Sequence, residues 1–415
     1  MTTTTRAPVH HEDTVVTGLG LVAASGIGVE AGWNGLLEGR PTATHDPLLA
    51  GMPVDFSCRV PGFDGADRLG HRLARRLDRG TQLALVAVHE ALADAGLDHA
   101  FWEPARVAVV LGVGSNSLQH YPEAFGRLAA GQPQRISPLM ITRSVPSMVP
   151  AEIALQIDAR GPNLAVSTAC SSGTAALGVA RDLLRGGSCD IAVCGGAEAT
   201  HQAIYSATFG QIRALSTRKH DPAGASRPFD RDRDGFVLAE GAGVLVLERA
   251  GHAAGRGARV RARLAGFGSS CDAYHSAAPH PDGRGAVQAI RGAIRDAGLV
   301  PEEIGHVNAH GTSTPLNDTV ECRALREVFR HPPAVTAPKS VLGHALGAAG
   351  GIEAVCSVLT LERHAVPPTA NLDCQDPDID LDIVTKVPRR LRAEAVMSNS
   401  FGFGGQNAVA VFTRP

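Results

Sequence analysis

Short apolar runs that end in glycine alternate along this chain with longer runs of helical period. Thr14–Thr17 reads as a strand running into a turn at Gly18-Leu19-Gly20, and Arg106–Leu111 as a strand ending at Gly112-Val113-Gly114. Leu164–Val166 reads as a short buried strand and Asp190–Cys194 as one ending at Gly195-Gly196, with Glu240–Glu248 and Arg259–Gly268 as two more. Between them Leu69–Leu97, Thr174–Leu184 and Gly285–Leu299 carry the apolar spacing of one helix face. Residues 41–66 are Pro/Gly-rich and 213–236 are polar and charged, so both read as loops. Pro138, Pro146 and Pro150 cut residues 115–150 into short helical pieces.

The pattern repeats. Ala91-Leu-Ala-Asp-Ala-Gly-Leu97 recurs as Ala293-Ile-Arg-Asp-Ala-Gly-Leu299, and the run from Gly173 has an echo in the run from Gly347. The strand before Gly195-Gly196 is echoed by Ala395–Ser398 before Gly404-Gly405. Each half therefore reads β-α-β-α-β. Doubled halves of this kind predict two similar sheets packed through shared helices, in one compact unit. The expected division is a loose tail over 1–12, a first half over 13–258 and a second over 259–415. Loops at equivalent strand ends then converge on one site between the halves.

Candidate chemistry lies at those turns. Val166-Ser-Thr-Ala-Cys170-Ser-Ser-Gly173 is a strand, a sharp turn and a helix start, with a thiol at the turn. Free N–H groups and the positive end of the helix dipole there favour a thiolate and can hold a developing oxyanion. On position alone a buried structural cysteine is an equal reading. His310 in Asn308-Ala-His-Gly-Thr312 stands at a strand end, and His344 in Lys339-Ser-Val-Leu-Gly-His344 begins the small-residue helix that echoes the cysteine helix. The repeat sets the His344 turn opposite the Cys170 turn, which makes all three side chains candidates for one nucleophilic site. Arg72, Arg75, Arg76 and Arg79 share a helix face in this reading, either a solvated stripe or a docking surface for an acidic partner.

Composition narrows the field. A formal net charge of −2 gives no reason to expect a nucleic-acid or membrane surface. No apolar run approaches the roughly 18 residues of a membrane helix. The eight cysteines show neither paired nor metal-ligand spacing and read as reduced thiols of a cytoplasmic protein, without a metal. Gly18-x-Gly20-x-x-Ala23 resembles a dinucleotide fingerprint with alanine in the third place, but Glu38 lies in a polar turn rather than at a strand end. A nicotinamide-dependent oxidoreductase is therefore a weak alternative.

Thr168-Ala-Cys170-Ser-Ser-Gly, Asn308-Ala-His310-Gly-Thr-Ser-Thr-Pro315, Lys339-Ser-Val-Leu-Gly-His344 and Asn399-Ser-Phe401-Gly-Phe403-Gly-Gly405 together resemble the signatures of elongating β-ketoacyl-ACP synthases, in the thiolase superfamily. The resemblance runs from about Thr14 to Phe412 and implies the thiolase-like α/β fold, with duplicated β-α-β-α-β halves in a five-layered α-β-α-β-α arrangement. It implies Cys170 as the acylated nucleophile, His310 and His344 as neutral donors to the enolate from malonyl-ACP, and Lys339 as the charge that orients them. Phe403 would serve as gate and oxyanion donor, Thr312, Thr314 and Phe401 would contact the pantetheine arm, and Glu353 would tie down the histidine loop. Arg72, Arg75, Arg76 and Arg213 would meet the acyl carrier protein. No resident cofactor is implied, the 4'-phosphopantetheine being carried by that partner.

A thiolase would need a cysteine in the last glycine motif, the chain-initiating synthases have asparagine where His344 stands, and a chain-length factor lacks the nucleophile. Between pathways, Thr312-Ser-Thr-Pro315 looks like the fatty-acid type, whereas Asn317 before Asp318 is reminiscent of polyketide ketosynthases. Ser147, where an amide or other polar group is common, gives another single-residue hint. The expectation leans to a type II polyketide ketosynthase, of a reduced or polyene chain, paired with a chain-length-factor homologue. The alternatives are a fatty-acid-elongating synthase II and a homodimer.

Overall fold

The computed structural model describes residues 13–98, 102–200 and 202–415; the expected tail over 1–12 lies outside them. The first half contributes β1 (Thr14–Ala23), α1 (Arg79–Asp94), β2 (Val107–Gly112), α2 (Met148–Ile157), β3 (Asn163–Val166), α3 (Ser172–Arg185), β4 (Ile191–Ala199) and β5 (Glu240–Arg249). The second contributes β6 (Ala262–Cys271), α4 (Arg284–Asp296), β7 (Ile304–Asn308), α5 (Pro315–Val328), β8 (Ala334–Thr336), α6 (Ala349–Arg363), β9 (Ala395–Gly402) and β10 (Gln406–Thr413).

The strands run β3-β2-β4-β5-β1 and then β6-β10-β9-β7-β8, so the second order repeats the first in reverse. Each half is mixed. Its outer trio (β3-β2-β4, β8-β7-β9) is parallel, and the rest pair antiparallel. The halves are not separate sheets as the repeat suggested. Val15 and Val16 of β1 pair with Arg263 and Ala262 of β6 and splice them into one path.

Helices α3 and α6 pack on each other and touch strands of both halves. Outside, α1 and α2 cover the first half, and α4 and α5 the second. That is the five-layered α-β-α-β-α arrangement of a thiolase-like fold, with apolar clusters around the central helices and beneath each outer layer.

Three local expectations fail, each for a packing reason. Gly18 and Gly20 form no turn, because β1 runs on to Ala23. A Cβ there would lie 2.1 Å from the Ala91 carbonyl oxygen and 1.8 Å from that of Ala87, so the glycines let α1 lie on the strand. Gly266 and Gly268 serve α4 in the same way, with 2.2 Å to the carbonyl oxygens of Ala293 and Ala289. The matched Asp94 and Asp296 accept the N–H groups of Leu19 (2.9 Å) and Phe267 (2.8 Å). The repeat is thus physical, and the dinucleotide reading loses its turn.

Leu69–Leu97 is not one helix either. It breaks after Ala74, and Asp78 caps α1 by accepting the Thr81 N–H at 2.8 Å. Arg79 turns inward to Glu240, at 2.6 Å from Nη2 to Oε1, and leaves the arginine stripe. Third, β3 is an edge strand rather than a buried one, with Leu164 42% exposed.

Candidate active site

Cys170 stands between β3 and α3, one residue before the helix cap Ser171. The turn that carries it is strained. Ala169 has φ 52°, a left-handed conformation that costs a residue with a Cβ. Side chains on either side hold it: Ser172 Oγ donates to the Ala169 carbonyl at 2.6 Å, and Ser171 Oγ lies 2.7 Å from the Thr168 carbonyl and 2.8 Å from that of Gln406. The hairpin β9–β10 closes over the turn. A Cβ on Gly402 would come within 2.5 Å of the Thr168 carbonyl oxygen. Beyond it, Gly404 (φ 79°) and Gly405 (φ 71°) bend the chain so that the Phe403 N–H bonds the Cys170 thiol.

His310 follows β7, and its turn is clamped from α5: Glu321 accepts the N–H groups of His310 and Gly311, each at 2.8 Å. His344 is held by the segment entering β5. Its N–H donates to the Val237 carbonyl at 2.8 Å, and its carbonyl accepts from Ala239 at 3.1 Å. The two rings meet edge-on with centroids 5.4 Å apart, while Phe401 flanks His310 at 5.8 Å and Phe236 flanks His344 at 5.2 Å.

Lys339 sits 2% exposed beside this pair, ion-paired to the equally buried Glu353, with Nζ 3.4 Å from His310 Nδ1. Burial first, and then the Lys339 charge, holds both imidazoles well below the usual histidine range, with His344 adding to the effect on His310. Both are therefore neutral at pH 7. Burial also pushes the Glu353 carboxyl up to about 7, with Lys339 opposing.

The thiol corrects the expectation drawn from its position. Burial pushes Cys170 up to about 11, outweighing the Lys339 charge and the Phe403 N–H. A helix start favours a thiolate only where water or a cation also solvates it, and this sulfur is 7% exposed. The resting pair is a neutral thiol with neutral imidazoles. One cation, Lys339, acts on all three groups.

The remaining expected residues are placed less uniformly. Thr312 and Thr314 share a hydroxyl contact of 2.9 Å, and Thr314 also caps α5 by accepting the Asn317 N–H at 3.3 Å. Arg72, Arg75 and Arg213 are exposed; Arg76 is exposed too but is bound to Glu152 at 2.5 Å. Sequence reasoning missed Glu198, Glu321 and Phe236, which support the site without belonging to any of the four motifs. Only the glutamate after Gly195-Gly196 lay near a turn that had been singled out. Among the described residues no cluster of three or more His, Cys, Asp or Glu side chains could hold a metal ion, and no helix is long and apolar enough to cross a membrane.

A buried thiol and two buried, uncharged imidazoles under the charge of one lysine, on a doubled α/β fold, fit a condensing acyltransferase. The family models for the beta-ketoacyl synthase N-terminal and C-terminal domains match residues 11–253 and 261–373, and the chain belongs to that family. It is a β-ketoacyl-ACP synthase. It is 41% identical over 407 residues to 3-oxoacyl-[acyl-carrier-protein] synthase 2 of Synechocystis sp., covering 96% of this chain and 97% of that protein. Among solved structures it is similar to the ishigamide ketosynthase/chain length factor (TM-score 0.91, 34% identity, 97% of this chain and 99% of that one). It is also similar to a type II PKS acyl-carrier protein in complex with its ketosynthase bound to the hexaketide (TM-score 0.89, 31% identity, the same coverage).

Proposed function

We propose that this chain elongates acyl chains on an acyl carrier protein in the manner of a fatty-acid synthase II, by decarboxylative condensation. The observation that carries the reading is the neutral His310–His344 pair set beside Lys339, within the same electrostatic reach as the Cys170 thiol. The Cys170 sulfur attacks the acyl thioester, its proton passes to a neighbouring imidazole, and the carrier's thiol leaves with a proton. The N–H groups of Cys170 and Phe403 receive the oxyanion. Malonyl-ACP then loses CO2, and His310 and His344 donate hydrogen bonds to the enolate oxygen. The enolate carbon attacks the acyl carbon, the C–S bond to Cys170 breaks, and the departing thiolate takes up one proton from solvent to restore the thiol. Because both imidazoles are neutral, they strengthen their bonds only as the charge develops, which is what accelerates the step.

The carrier's arm enters past Thr312 and Phe401, and the exposed Arg72, Arg75 and Arg213 attract its acidic surface. A second copy of the fold pairs along β3, whose backbone edge and Leu164 face outward. The near-full-length identity to synthase 2 proteins supports the fatty-acid assignment. The polyketide reading, with a chain-length-factor homologue as the second copy, draws support from the ishigamide neighbour.

The test is reconstitution of the lone chain with malonyl-ACP and an acyl-ACP, with products read by mass spectrometry. Robust synthesis by the homodimer supports the first reading; dependence on a second, thiol-less homologue supports the other. Cys170→Ala is expected to abolish acyl transfer while retaining malonyl-ACP decarboxylation, since the imidazole pair does not need the sulfur. Unimpaired condensation by that variant would overturn the mechanism.

A further inference from the structure

The charged run from Arg227 to Arg233, which reads as a solvated loop, is largely folded inward. Arg227, Asp230 and Arg233 are 8%, 0% and 7% exposed. The segment 226–237 also touches each turn that supports the imidazole pair. Ser226 Oγ donates to the Lys339 carbonyl at 2.6 Å. The N–H groups of Arg227 and Gly235 donate to Ser313, the first to its Oγ at 2.9 Å and the second to its carbonyl at 3.0 Å. That holds the residue between Thr312 and Thr314 in a left-handed conformation, φ 69°. The buried Phe229 ring lies 3.5 Å from the point where a Cβ on Gly311 would stand, directly after His310. Phe236 packs on the His344 ring, and the Val237 carbonyl accepts the His344 N–H.

A charge leaves water only where it is paired and hydrogen-bonded. Arg233 meets that condition with its whole fork. Nη1 donates to the Asp230 carbonyl at 2.8 Å and to Asp376 Oδ2 at 2.6 Å. Nη2 donates to the Pro315 carbonyl at 3.3 Å and to Thr319 Oγ1 at 3.0 Å, and Nε lies 3.7 Å from Asp318 Oδ2. Pro315, Asp318 and Thr319 stand at the start of α5, and α5 carries Glu321, which accepts the N–H groups of His310 and Gly311. Arg233 therefore fastens the support of one imidazole to a loop whose following residues, Phe236 and Val237, hold the other.

The two half-reactions ask different things of the pair. Taking the Cys170 proton needs one imidazole, whereas the enolate oxygen needs two donors that converge on it. We infer that Arg233 is a positioning residue that sets His310 against His344, at their centroid separation of 5.4 Å, and so serves the enolate step rather than acylation. The inference rests on the reading of the two histidines as the enolate's donors. A lysine at this position would keep the charge, but a point charge cannot reach two carbonyls, a carboxylate and a hydroxyl at once.

The test compares two rates in the full-length protein at saturating donor. One is acylation of Cys170 by acyl-ACP, read by intact mass; the other is decarboxylation of malonyl-ACP, read as acetyl-ACP. Both donors carry the same pantetheine arm, so a change in arm binding cancels in the ratio. Arg233→Met is expected to slow decarboxylation at least about tenfold and to leave acylation within about threefold, since misplacement by about 1 Å can cost about a hundredfold. Arg233→Lys leaves a cation beside Asp318 and Asp376, which protects folding, and should move the ratio in the same direction. A merely structural role would lower both rates in proportion to the folded fraction and keep the native ratio. A native ratio in both variants, or one moved the other way, would overturn the inference alone. A wild-type protein that neither acylates Cys170 nor decarboxylates malonyl-ACP would overturn the reading beneath it as well.

Discussion

Replacing Lys339 by methionine keeps most of the stem and removes the one charge that acts on all three reacting groups. At 3.4 Å from His310 Nδ1, a unit charge in an effective dielectric of about 20 is worth about 5 kcal/mol against a second positive charge. The Glu353 carboxylate paired to it cancels part of this, and the net effect of removing Lys339 is an upward move for His310. Burial remains the larger cause, so the imidazole stays below its ordinary value. The sign is set by the depressed pKa. In the native enzyme His310 is neutral throughout the range above its lowered value, and condensation does not weaken as pH falls through 6.5 on its account. In Lys339→Met the point of protonation moves up, and an acid limb enters the profile, because an imidazolium can no longer take the Cys170 proton. The assay is the pH dependence of kcat for condensation from saturating malonyl-ACP and acyl-ACP. The double variant Lys339→Met/Glu353→Gln removes the stranded carboxyl and separates the electrostatic effect from simple destabilisation. A double variant with the native pH profile and native kcat would refute the assignment of Lys339 as the keeper of neutral histidines.

Alkylation of Cys170 by iodoacetamide, followed on its peptide by mass spectrometry, should rise about tenfold per pH unit from 7 to 10 without a plateau, as expected for a thiol pushed up to about 11. A plateau near neutral pH would restore the thiolate expected from the helix start. Gly20→Ala places a Cβ 1.8 Å from the Ala87 carbonyl oxygen and should cost about 3 kcal/mol or more of stability, seen as a lower denaturation midpoint. Arg72→Glu should raise KM for the carrier protein and weaken its salt dependence with kcat unchanged, whereas Arg76→Glu should also lower Tm because Arg76 is bound to Glu152. His306 is buried and held at about 3, so the stability it confers is complete above pH 6.5 and lost as pH falls from there toward 3. His306→Leu should flatten that slope by about 1.4 kcal/mol per pH unit in pH-dependent denaturation.

Much of the architecture was legible because it depends on local order. The repeat of Ala91–Leu97 at Ala293–Leu299 reports two helices docking on two glycine-bearing strands, and Asp94 and Asp296 accept equivalent strand N–H groups. The four glycine-rich motifs were legible for the same reason. Each needs a turn that only certain residues make, as at Gly404 and Gly405 with φ 79° and 71°. Gly18 and Gly20 misled because a glycine that admits a helix and a glycine that makes a turn read alike along the chain. The arginine stripe misled because helical spacing holds only within one helix, and Asp78 starts a new one.

Which residue types could do the chemistry was settled by the order of amino acids: Cys170, His310, His344 and Lys339 stand in motifs that carry them to loop ends. Their charge states were decided by the fold alone. Burial of Cys170 lifts the thiol against the pull of the helix start, and the same burial, with the charge of Lys339, keeps both imidazoles in the neutral form that retains one N–H. The meeting of Phe209 with Phe403 and the reach of Glu198 to Gly347 likewise have no trace in neighbouring positions. Solvation and Coulomb energies depend on distance in space, and distance in space is what folding adds to a sequence.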